Sequence, residues 1–294
     1  MKTNIVSAIL LTLLLLGMLT LAFNIQSVKA EPRTWYVDDD GGADFTKIQD
    51  AINAASPGDT IYVYNGTYYE HLYIGKENLT VIGESNTDTI IDGSGSGAVV
   101  NIWVDRVTIS RFTVRNSGWG HYFDMGSGIY LERGKKFCNI TKNIITNSRY
   151  GLGLWRPINS TITKNYISNT DQAISFDGGK YNTVTENSIS DSELGIALWY
   201  TYHNTIENNK IFNTVWGIYS SDSESNTISH NMVTYNTGGI ELYDSFDNII
   251  TSNTLANNDY SIYFTSSSNN SISGNTIANN WAGIRLWESS NNHV

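Results

Sequence analysis

A period of 22 residues runs through most of this chain and restricts its fold more than any other feature. Seven asparagines are spaced 22 positions apart, and an aliphatic residue stands three positions before and two positions after each of them. Self-similarity at one short period is typical of a solenoid, in which each repeat packs on the next. The repeated asparagines are Asn143, Asn165, Asn187, Asn209, Asn231, Asn253 and Asn275.

Two further apolar columns begin at Leu152 and Leu154 and recur with the same period, broken only by Ser220. They form short segments with alternating side chains, which is the pattern of β-strands with one buried face. Four buried aliphatic side chains contribute roughly 6–12 kcal/mol, whereas ordering one repeat costs about 30 kcal/mol. One repeat therefore folds only against its neighbours. We predict an all-β fold, a right-handed parallel β-helix solenoid of about ten coils with stacked asparagine amides.

Both ends of the solenoid give further expectations. In residues 46–56, Thr46 and Gln49 form a capping-box pattern before apolar residues, which predicts a short helix that covers the first coil. Asn292 begins another repeat that stops at Val294, so we expect that the chain is truncated or that a further C-terminal domain or anchor follows. Residues between Asn116 and Gly128 interrupt the period and predict an inserted loop.

The first 30 residues have the pattern of a secretory signal peptide, with Lys2, an apolar run and cleavage after Ala30. The alternative is an uncleaved membrane anchor, since the run approaches the length of a spanning helix. Either reading places residues 31–294, the predicted β-helix domain, outside the cytoplasm, secreted or at the cell surface. The net charge of −10 argues against a nucleic-acid partner, and the single Cys138 excludes an internal disulfide framework.

Three stretches of the sequence resemble a known group of proteins. They are "WYVDDDGGADFTKIQDAINAASPGDTIYVYNGTYYEHLYIGKENLTVIG", "TIIDGSG" and the later "NTI" repeats. Together they are similar to secreted right-handed β-helix proteins with carbohydrate-binding and sugar-hydrolase type repeats, including NosD-like proteins and, at the N-terminal end, pectin methylesterases. The resemblance implies the fold, whereas the activity stays open because this architecture carries many functions.

The catalytic signatures of the related enzymes are incomplete here. Where pectin methylesterases have Gln-Asp-Thr-Leu, residues 148–152 read "SRYGL", so the acid and the glutamine are missing. Asn169-Thr170-Asp171 matches the first of three polygalacturonase elements, but Leu194 and Trp216 replace the acid and the histidine of the other two. NosD-like proteins are associated with copper delivery, yet the histidines lie at unrelated repeat positions, and we predict no metal site of that kind.

Three carboxylates are candidate catalytic residues: Asp171, Glu193 and Asp177. Asp171 and Glu193 are 22 residues apart, which puts them on adjacent coils about 4.8 Å apart, close to the spacing in retaining glycosidases. Such a pair would suit a polysaccharide hydrolase or lyase. Asp171 and Asp177 together would suit calcium, which prefers oxygen ligands. The alternative for Asp171 and Glu193 is that they are solvated turn acids that terminate strands.

A column of outward positions carries an aromatic ring on every second coil: Trp155, Trp199, Tyr243 and Trp287. Two coils advance about 9.5 Å, which is comparable to a disaccharide. We expect this surface to bind sugar rings, with residues 119–124 of the inserted loop as a roof. The alternative is that the rings only stabilise the strands. The candidate substrate-binding residues are Trp155, Trp199, Trp216, Tyr219, Glu241, Tyr243, Tyr263, Arg285 and Trp287.

These patterns favour a protein that recognises a polysaccharide or cell-surface glycan along an aromatic face. Whether the protein also processes the polysaccharide is open. The alternatives are a noncatalytic structural or adhesion module and a NosD-like copper accessory protein.

Overall fold

The computed structural model describes residues 9–14 and 31–294. Residues 9–14 are helical, and the predicted cleavage after Ala30 lies outside the described residues. Among the described residues, no helix is long and apolar enough to cross a membrane. The chain divides into the units Met1–Pro32 and Arg33–Val294, and the second contains all the strands given below.

Twenty-seven strands follow one another in this second unit. In chain order they are β1 (Thr34–Val37), β2 (Thr60–Val63), β3 (Gly66–Tyr68), β4 (Leu72–Ile74), β5 (Thr80–Gly83), β6 (Thr89–Asp92), β7 (Val100–Ile102), β8 (Thr108–Ser110), β9 (Thr113–Arg115), β10 (Ser127–Leu131), β11 (Asn139–Thr141), β12 (Ile144–Trp155), β13 (Thr161–Thr163), β14 (Tyr166–Asp177), β15 (Thr183–Thr185), β16 (Ser188–Trp199), β17 (Thr205–Glu207), β18 (Lys210–Ser221), β19 (Thr227–Ser229), β20 (Met232–Thr234), β21 (Gly238–Tyr243), β22 (Ile249–Thr251), β23 (Thr254–Ala256), β24 (Tyr260–Thr265), β25 (Ser271–Ser273), β26 (Thr276–Ala278) and β27 (Ala282–Trp287).

The strands stack in three parallel faces, so the predicted parallel β-helix is confirmed. The first face contains β1, β2, β5, β8, β11, β13, β15, β17, β19, β22 and β25, one strand more than the ten coils expected. The long strands β12, β14, β16 and β18 each run through both other faces. Their first halves continue into β20, β23 and β26 as the second face. Their second halves continue into β21, β24 and β27 as the third face.

Four corners per coil explain the length of the repeat. In the coil that begins at Arg156, four residues have left-handed backbone conformation: Arg156 (φ 51°), Asn159 (49°), Lys164 (58°) and Asn169 (54°). A left-handed residue breaks the extended strand and turns the chain. The same four positions recur in the next coils, at Gly178, Tyr181, Glu186 and Asp191. Asn169 is therefore a corner of the scaffold rather than part of a catalytic motif.

The asparagine column forms a continuous hydrogen-bonded ladder inside the solenoid. The Oδ1 atom of Asn187 accepts from the backbone N–H of Asn165 at 3.0 Å and from its Nδ2 at 3.0 Å. The Nδ2 atom of Asn187 donates to the Ile162 carbonyl at 2.9 Å and to Asn209 Oδ1 at 3.0 Å. These side chains are buried, so each amide satisfies backbone groups that water does not reach. The structural interpretation of the column is confirmed.

A second ladder of the same kind was not predicted. Each backbone N–H donates to the Oδ1 atom one coil further on, as in the first ladder. The Nδ2 atoms do the same, except that of Asn226, which donates to the Thr201 carbonyl and hydroxyl. The period of 22 residues was a sufficient signal for it. The ladder comprises Asn182, Asn204, Asn226, Asn248, Asn270 and Asn292.

The column of small residues at the entry to the third face is a packing requirement. A Cβ atom on Gly195 would lie 2.4 Å from the carbonyl oxygen of Gly217 and 2.8 Å from Cγ2 of Ile211. Neither the next coil nor the core leaves room for a side chain at this position. The glycines therefore set how closely successive coils approach.

The motif "TIIDGSG" is also structural. The Asp92 carboxylate is buried and accepts from Arg115 Nε at 2.7 Å and from the Ser94 N–H at 2.9 Å. Burial would raise the pKa of Asp92, but these hydrogen bonds and those from Asn116 outweigh it and hold the pKa below its usual value. Asp92 thus fixes one corner of the helix, and the motif reports the fold rather than a function.

The helix at the N-terminal end, Ile48–Ala54, buries Ile48, Ala51 and Ile52. Its N-cap residue is Lys47, which makes no side-chain cap, so the predicted capping box of Thr46 and Gln49 is wrong. The Glu70 carboxylate from the following coil accepts from the N–H groups of Ile48 and Gln49 at 2.9 and 3.0 Å instead. Local spacing did not show this cap because its acceptor comes from more than 20 residues away.

We expect Glu70→Ala to lower the free energy of unfolding by about 1–2 kcal/mol, because two helix N–H groups lose a charged acceptor. Chemical denaturation measures the loss, and amide exchange should accelerate first within Ile48–Ala54. The matched control is Glu77→Ala, since the Glu77 side chain is 59% exposed and has only a 3.9 Å contact with Arg106. Equal losses for the two variants would contradict the role of Glu70.

At the other end, the side chains of β27 are largely exposed. Ile284 and Leu286, which continue the apolar columns, are each 38% exposed. The expectation of a further C-terminal segment or anchor stays a prediction.

Candidate functional site

The outward side chains of the third face form a column in strict register. Trp155 pairs with Asp177 and Asp177 with Trp199, then Ser221 precedes Tyr243. Beyond Tyr243 the column continues through Thr265 to Trp287. The predicted alternation, with one ring on every second coil, is therefore confirmed by the strand register. We call the surface made by this column and its outward neighbours on the third face the aromatic face.

The rings of this column differ in how much surface they offer. Tyr243 is 42% exposed and Trp287 is 52% exposed, and neither has a ring contact among the described residues. Trp199 is half-buried and packs on Tyr219 with ring centroids 4.9 Å apart. Packing of ring on ring therefore accounts for part of the Trp199 ring but for neither Tyr243 nor Trp287.

A second outward column contains an unusual carboxyl group. Glu241 pairs with Tyr219 on one side and with Tyr263 on the other, and the Arg285 guanidinium lies 5.3 Å from the Tyr263 ring centre. Burial raises the pKa of Glu241 to about 7. Its Oε2 atom is buried and has no hydrogen-bond partner. The sequence placed Glu241 on this face. It did not show that the carboxyl is buried and lacks a hydrogen-bond partner, because both depend on how the neighbouring rings pack.

Trp216 lies in a third outward column and covers the next coil. A Cβ atom on Gly238 would fall 1.9 Å from Cε3 of the Trp216 ring, so the ring rests directly over that glycine. Further along, Tyr260 contacts Trp281 edge-on with centroids 5.3 Å apart. Ring surface thus continues along the face towards the last coils.

The inserted loop lies over the N-terminal part of the aromatic face, as the roof prediction requires. Its short helix, Phe123–Gly126, places the Phe123 ring edge-on against Tyr150 at 4.8 Å. A Cβ atom on Gly153 would meet Phe123 Cγ at 2.8 Å, so the ring sits on the strand surface. The Tyr150 hydroxyl donates to the His121 carbonyl at 3.0 Å. The loop is fastened to β12 by packing and by this hydrogen bond.

Asp171 belongs to the attachment of the loop. Its carboxylate lies 3.6 Å from Arg149 Nε, and Arg149 Nη1 donates to His121 Nδ1 at 2.8 Å. His121 is therefore held by an arginine. Asp171 positions Arg149, which holds the loop.

The structure places the three candidate catalytic acids in two separate places. Asp171 and the exposed Glu193 line one open cavity of about 580 Å³, whereas Asp177 lines two others. Glu193 makes no hydrogen bond or ion pair with the described residues. Asp171 and Asp177 are six residues apart on β14, or roughly 20 Å along a strand. That separation rules out the calcium site proposed for this pair.

Two cavities lie beneath the inserted loop. One, of about 330 Å³, is lined by residues that include Tyr150, Gln172, Asp177 and Trp199. The other, of about 550 Å³, is lined by residues that include Tyr130, Glu132 and Trp155. Both are also lined by Tyr122, Phe123 and Asp177. The rings of the aromatic face therefore border concave space at the roofed end.

The donor groups for a transition metal are dispersed. Among residues 9–14 and 31–294, Asp38, Asp39 and Asp40 form the one group of three acidic, histidine or cysteine side chains close enough to share an ion. Such a hard oxygen set does not suit copper, which binds imidazole, thiolate and thioether ligands. Cys138 is buried, and burial raises the pKa of its thiol to about 11. The described residues do not fit a copper centre.

Comparisons with known proteins give a family and a fold. A family model described as "Periplasmic copper-binding protein (NosD)" matches residues 52–197 and 150–294. XylC in complex with xylose has a TM-score of 0.67 at 13% identity, with 84% of this chain and 69% of XylC covered. The enzymatically active domain of bacteriophage CBA120 tailspike protein 2 has a TM-score of 0.63 at 15% identity, with 88% of this chain and 46% of that domain covered.

A third similar structure is the pectin methylesterase from carrot. It has a TM-score of 0.56 at 14% identity, with 86% of this chain and 85% of the esterase covered. At these identities the likeness shows the fold alone. No curated protein matches the chain.

Proposed function

This chain belongs to the NosD family, and from that membership we propose that it is a periplasmic or extracellular β-helix protein that binds a polysaccharide along its aromatic face. The observation that carries the proposal is the in-register column of rings on alternate coils, which begins beside the cavities under the inserted loop.

The spacing of the rings suits an extended glycan. Two coils separate Trp155 from Trp199 and Trp199 from Tyr243, which corresponds to about 9.5 Å per step. The apolar faces of sugar rings stack on aromatic side chains, while neighbouring polar groups bond their hydroxyls. Gln172 and Asp177 supply such groups beside Trp199.

The similar structures support a carbohydrate partner. XylC is described in complex with xylose, and the carrot protein is a pectin methylesterase. A cleavage step is not part of the proposal, because the cavity that Asp171 and Glu193 share is not lined by any ring of the aromatic face.

The copper description of the family favours a different activity. The donor groups of the described residues do not support it, because no group of three close enough to share an ion contains a histidine or cysteine side chain. The exposed Tyr243 and Trp287 rings, which have no ring partners among residues 31–294, favour the glycan.

We expect Trp199→Ala and Tyr243→Ala each to weaken retention in affinity gels that contain the recognised polysaccharide, with Kd raised at least about tenfold, or about 1.4 kcal/mol. The matched control is Tyr166→Ala, since Tyr166 is equally exposed but belongs to the second face. A panel of neutral and acidic polysaccharides identifies the ligand. Retention that is unchanged in both variants would refute binding at the aromatic face.

A further inference from the structure

A cationic cavity lies beside the aromatic face. It has a volume of about 500 Å³ and is lined by Arg133, Arg156 and Lys180 together with Tyr200 and Tyr202. The whole chain has 28 acidic and 18 basic residues, so three cations around one cavity run against its overall charge. No acidic side chain lines this cavity.

The three cations have no acidic partners. The five ion pairs formed by the described residues involve Arg33, Arg106, Arg115, Arg149 and Lys164. Two acids are close to these cations in the chain. The Glu132 carboxylate is already engaged, since it accepts from the Tyr130 hydroxyl at 3.0 Å and from the Arg133 backbone N–H at 2.8 Å. Asp177, three residues before Lys180, lines the two cavities beneath the inserted loop instead. The positive charge of the cavity is therefore left for a ligand.

Aromatic rings hold two of the cations without neutralising them. The Arg133 guanidinium lies 5.4 Å from the Trp155 ring centre, and Lys180 Nζ lies 5.5 and 5.8 Å from the ring centres of Tyr181 and Tyr202. A cation over a ring keeps its full charge and its N–H donors. The site is thus preorganised for an anion, because guanidinium and ammonium groups are the preferred donors to oxyanions.

The scaffold keeps this cavity open at the corner that follows the third face. Gly178 has a φ of +76°, and a Cβ atom there would lie 2.7 Å from Cγ of Arg156. The glycine therefore allows the Arg156 side chain to cross the next coil. Arg156 itself follows Trp155 in the chain, so a ring of the aromatic face and a cation of the cavity are direct neighbours.

The cavity also lies next to the roofed end of the aromatic face. Tyr200 lines both the cationic cavity and the cavity that contains Asp177 and Trp199. A glycan stacked on Trp155 and Trp199 would therefore carry its ring substituents towards Arg156 and Lys180.

We propose that the cavity of Arg133, Arg156 and Lys180 binds the oxyanion substituent, carboxylate or sulfate, of an acidic polysaccharide whose sugar rings stack on the aromatic face. This inference rests on the proposed function and adds the class of ligand. Stacking supplies the contact with the ring faces, and the cavity selects for charge.

The test compares charged polymers with their neutral counterparts. Wild-type protein should bind polygalacturonate at least about tenfold more tightly than fully methyl-esterified pectin, or dextran sulfate more tightly than dextran. The pair that shows the preference identifies the substituent. Raising the salt from 50 to 500 mM should reduce the preference, because exposed charges are screened. Equal affinity for charged and neutral polymers would overturn the proposal.

The double variant Arg156→Gln/Lys180→Gln should lose this preference and keep its affinity for the neutral polymer. The double variant Lys164→Gln/Lys210→Gln is the control, since it removes the same charge from residues outside the cavity. Thermal unfolding verifies that each variant is folded. If the Arg156→Gln/Lys180→Gln variant still prefers the charged polymer, the anion site is refuted. Trp199→Ala tests the stacking surface instead and should weaken the binding of both polymers.

A second measurement does not depend on stacking. Galacturonate and inorganic sulfate are titrated separately while the guanidinium Nε–H signals of Arg133 and Arg156 are followed by NMR. At least one of the two anions should shift these signals, and Lys180→Gln should weaken the effect. Signals that neither anion shifts would overturn the anion site even if the polysaccharide binds. Shifts without any polymer binding would support the anion site but would refute sugar binding at the aromatic face.

Discussion

Asn187→Ala is expected to lower the free energy of unfolding by about 3–5 kcal/mol. The substitution removes the acceptor of the Asn165 backbone N–H and of its Nδ2, and it removes the donor to the Ile162 carbonyl. All three groups are in the buried ladder, where each unsatisfied group costs about 1–3 kcal/mol. Denaturant titration followed by circular dichroism measures the change.

The matched control is the same substitution at the last rung of the same ladder, Asn275→Ala. Asn275 makes the corresponding hydrogen bonds with Asn253 and with the Ile250 carbonyl, but it is only partly buried and donates to no further rung. Water therefore replaces much of what is lost, and the cost should be about 1 kcal/mol. Equal losses at the two positions would mean that the ladder does not stabilise the solenoid through buried hydrogen bonds.

Glu241→Gln should make the protein more stable than the wild type at pH 8 and leave it unchanged near pH 4. The pKa of Glu241 is raised from the ordinary value of 4.5 to about 7 because the carboxyl is buried. The folded state therefore favours the protonated form, and the resulting stability is complete below pH 4.5 and lost as the pH rises to about 7. At pH 8 the ionised Glu241 should lower the free energy of unfolding of the wild type by about 1–2 kcal/mol, a modest loss because the site is partly exposed to water.

Unfolding profiles of the two proteins between pH 4 and pH 8 provide the measurement. Acids with lowered pKa values, such as Asp59 and Asp92, lose their stabilising effect at low pH, but they are shared by both proteins and cancel in the difference. Glu193→Gln serves as the control, since Glu193 is exposed. Parallel profiles for the wild type and Glu241→Gln would contradict the burial of this carboxyl.

The sequence predicted most of the scaffold because the scaffold is periodic. The asparagine ladder, the apolar columns and the register of Trp155, Asp177 and Trp199 follow from one spacing of 22 residues. What the period does not contain was predicted poorly. The cap on Ile48–Ala54 comes from Glu70 on another coil, and the spacing of Thr46 and Gln49 suggested a local cap that does not form.

The candidate site shows a similar division. The sequence identified the rings and the loop that lies over them, since both stand out against the repeat. It did not show that Arg149 joins Asp171 to His121, because this contact depends on how the inserted loop folds back. It also did not reveal the cationic cavity. Arg133, Arg156 and Lys180 are far apart in the sequence and at unequal spacing, and three corners of successive coils bring them together.

The register of the coils has a consequence for the length of the molecule. The rings alternate with Asp177, Ser221 and Thr265 along their column. The distance between two rings therefore stays regular only if the number of coils between them stays even. Loss of residues 200–221, one whole coil, would keep both ladders continuous but would bring Tyr243 directly beside Trp199. Gain or loss of two coils would preserve the alternation. A glycan surface on such a solenoid can therefore lengthen or shorten without losing its pattern only in steps of two coils.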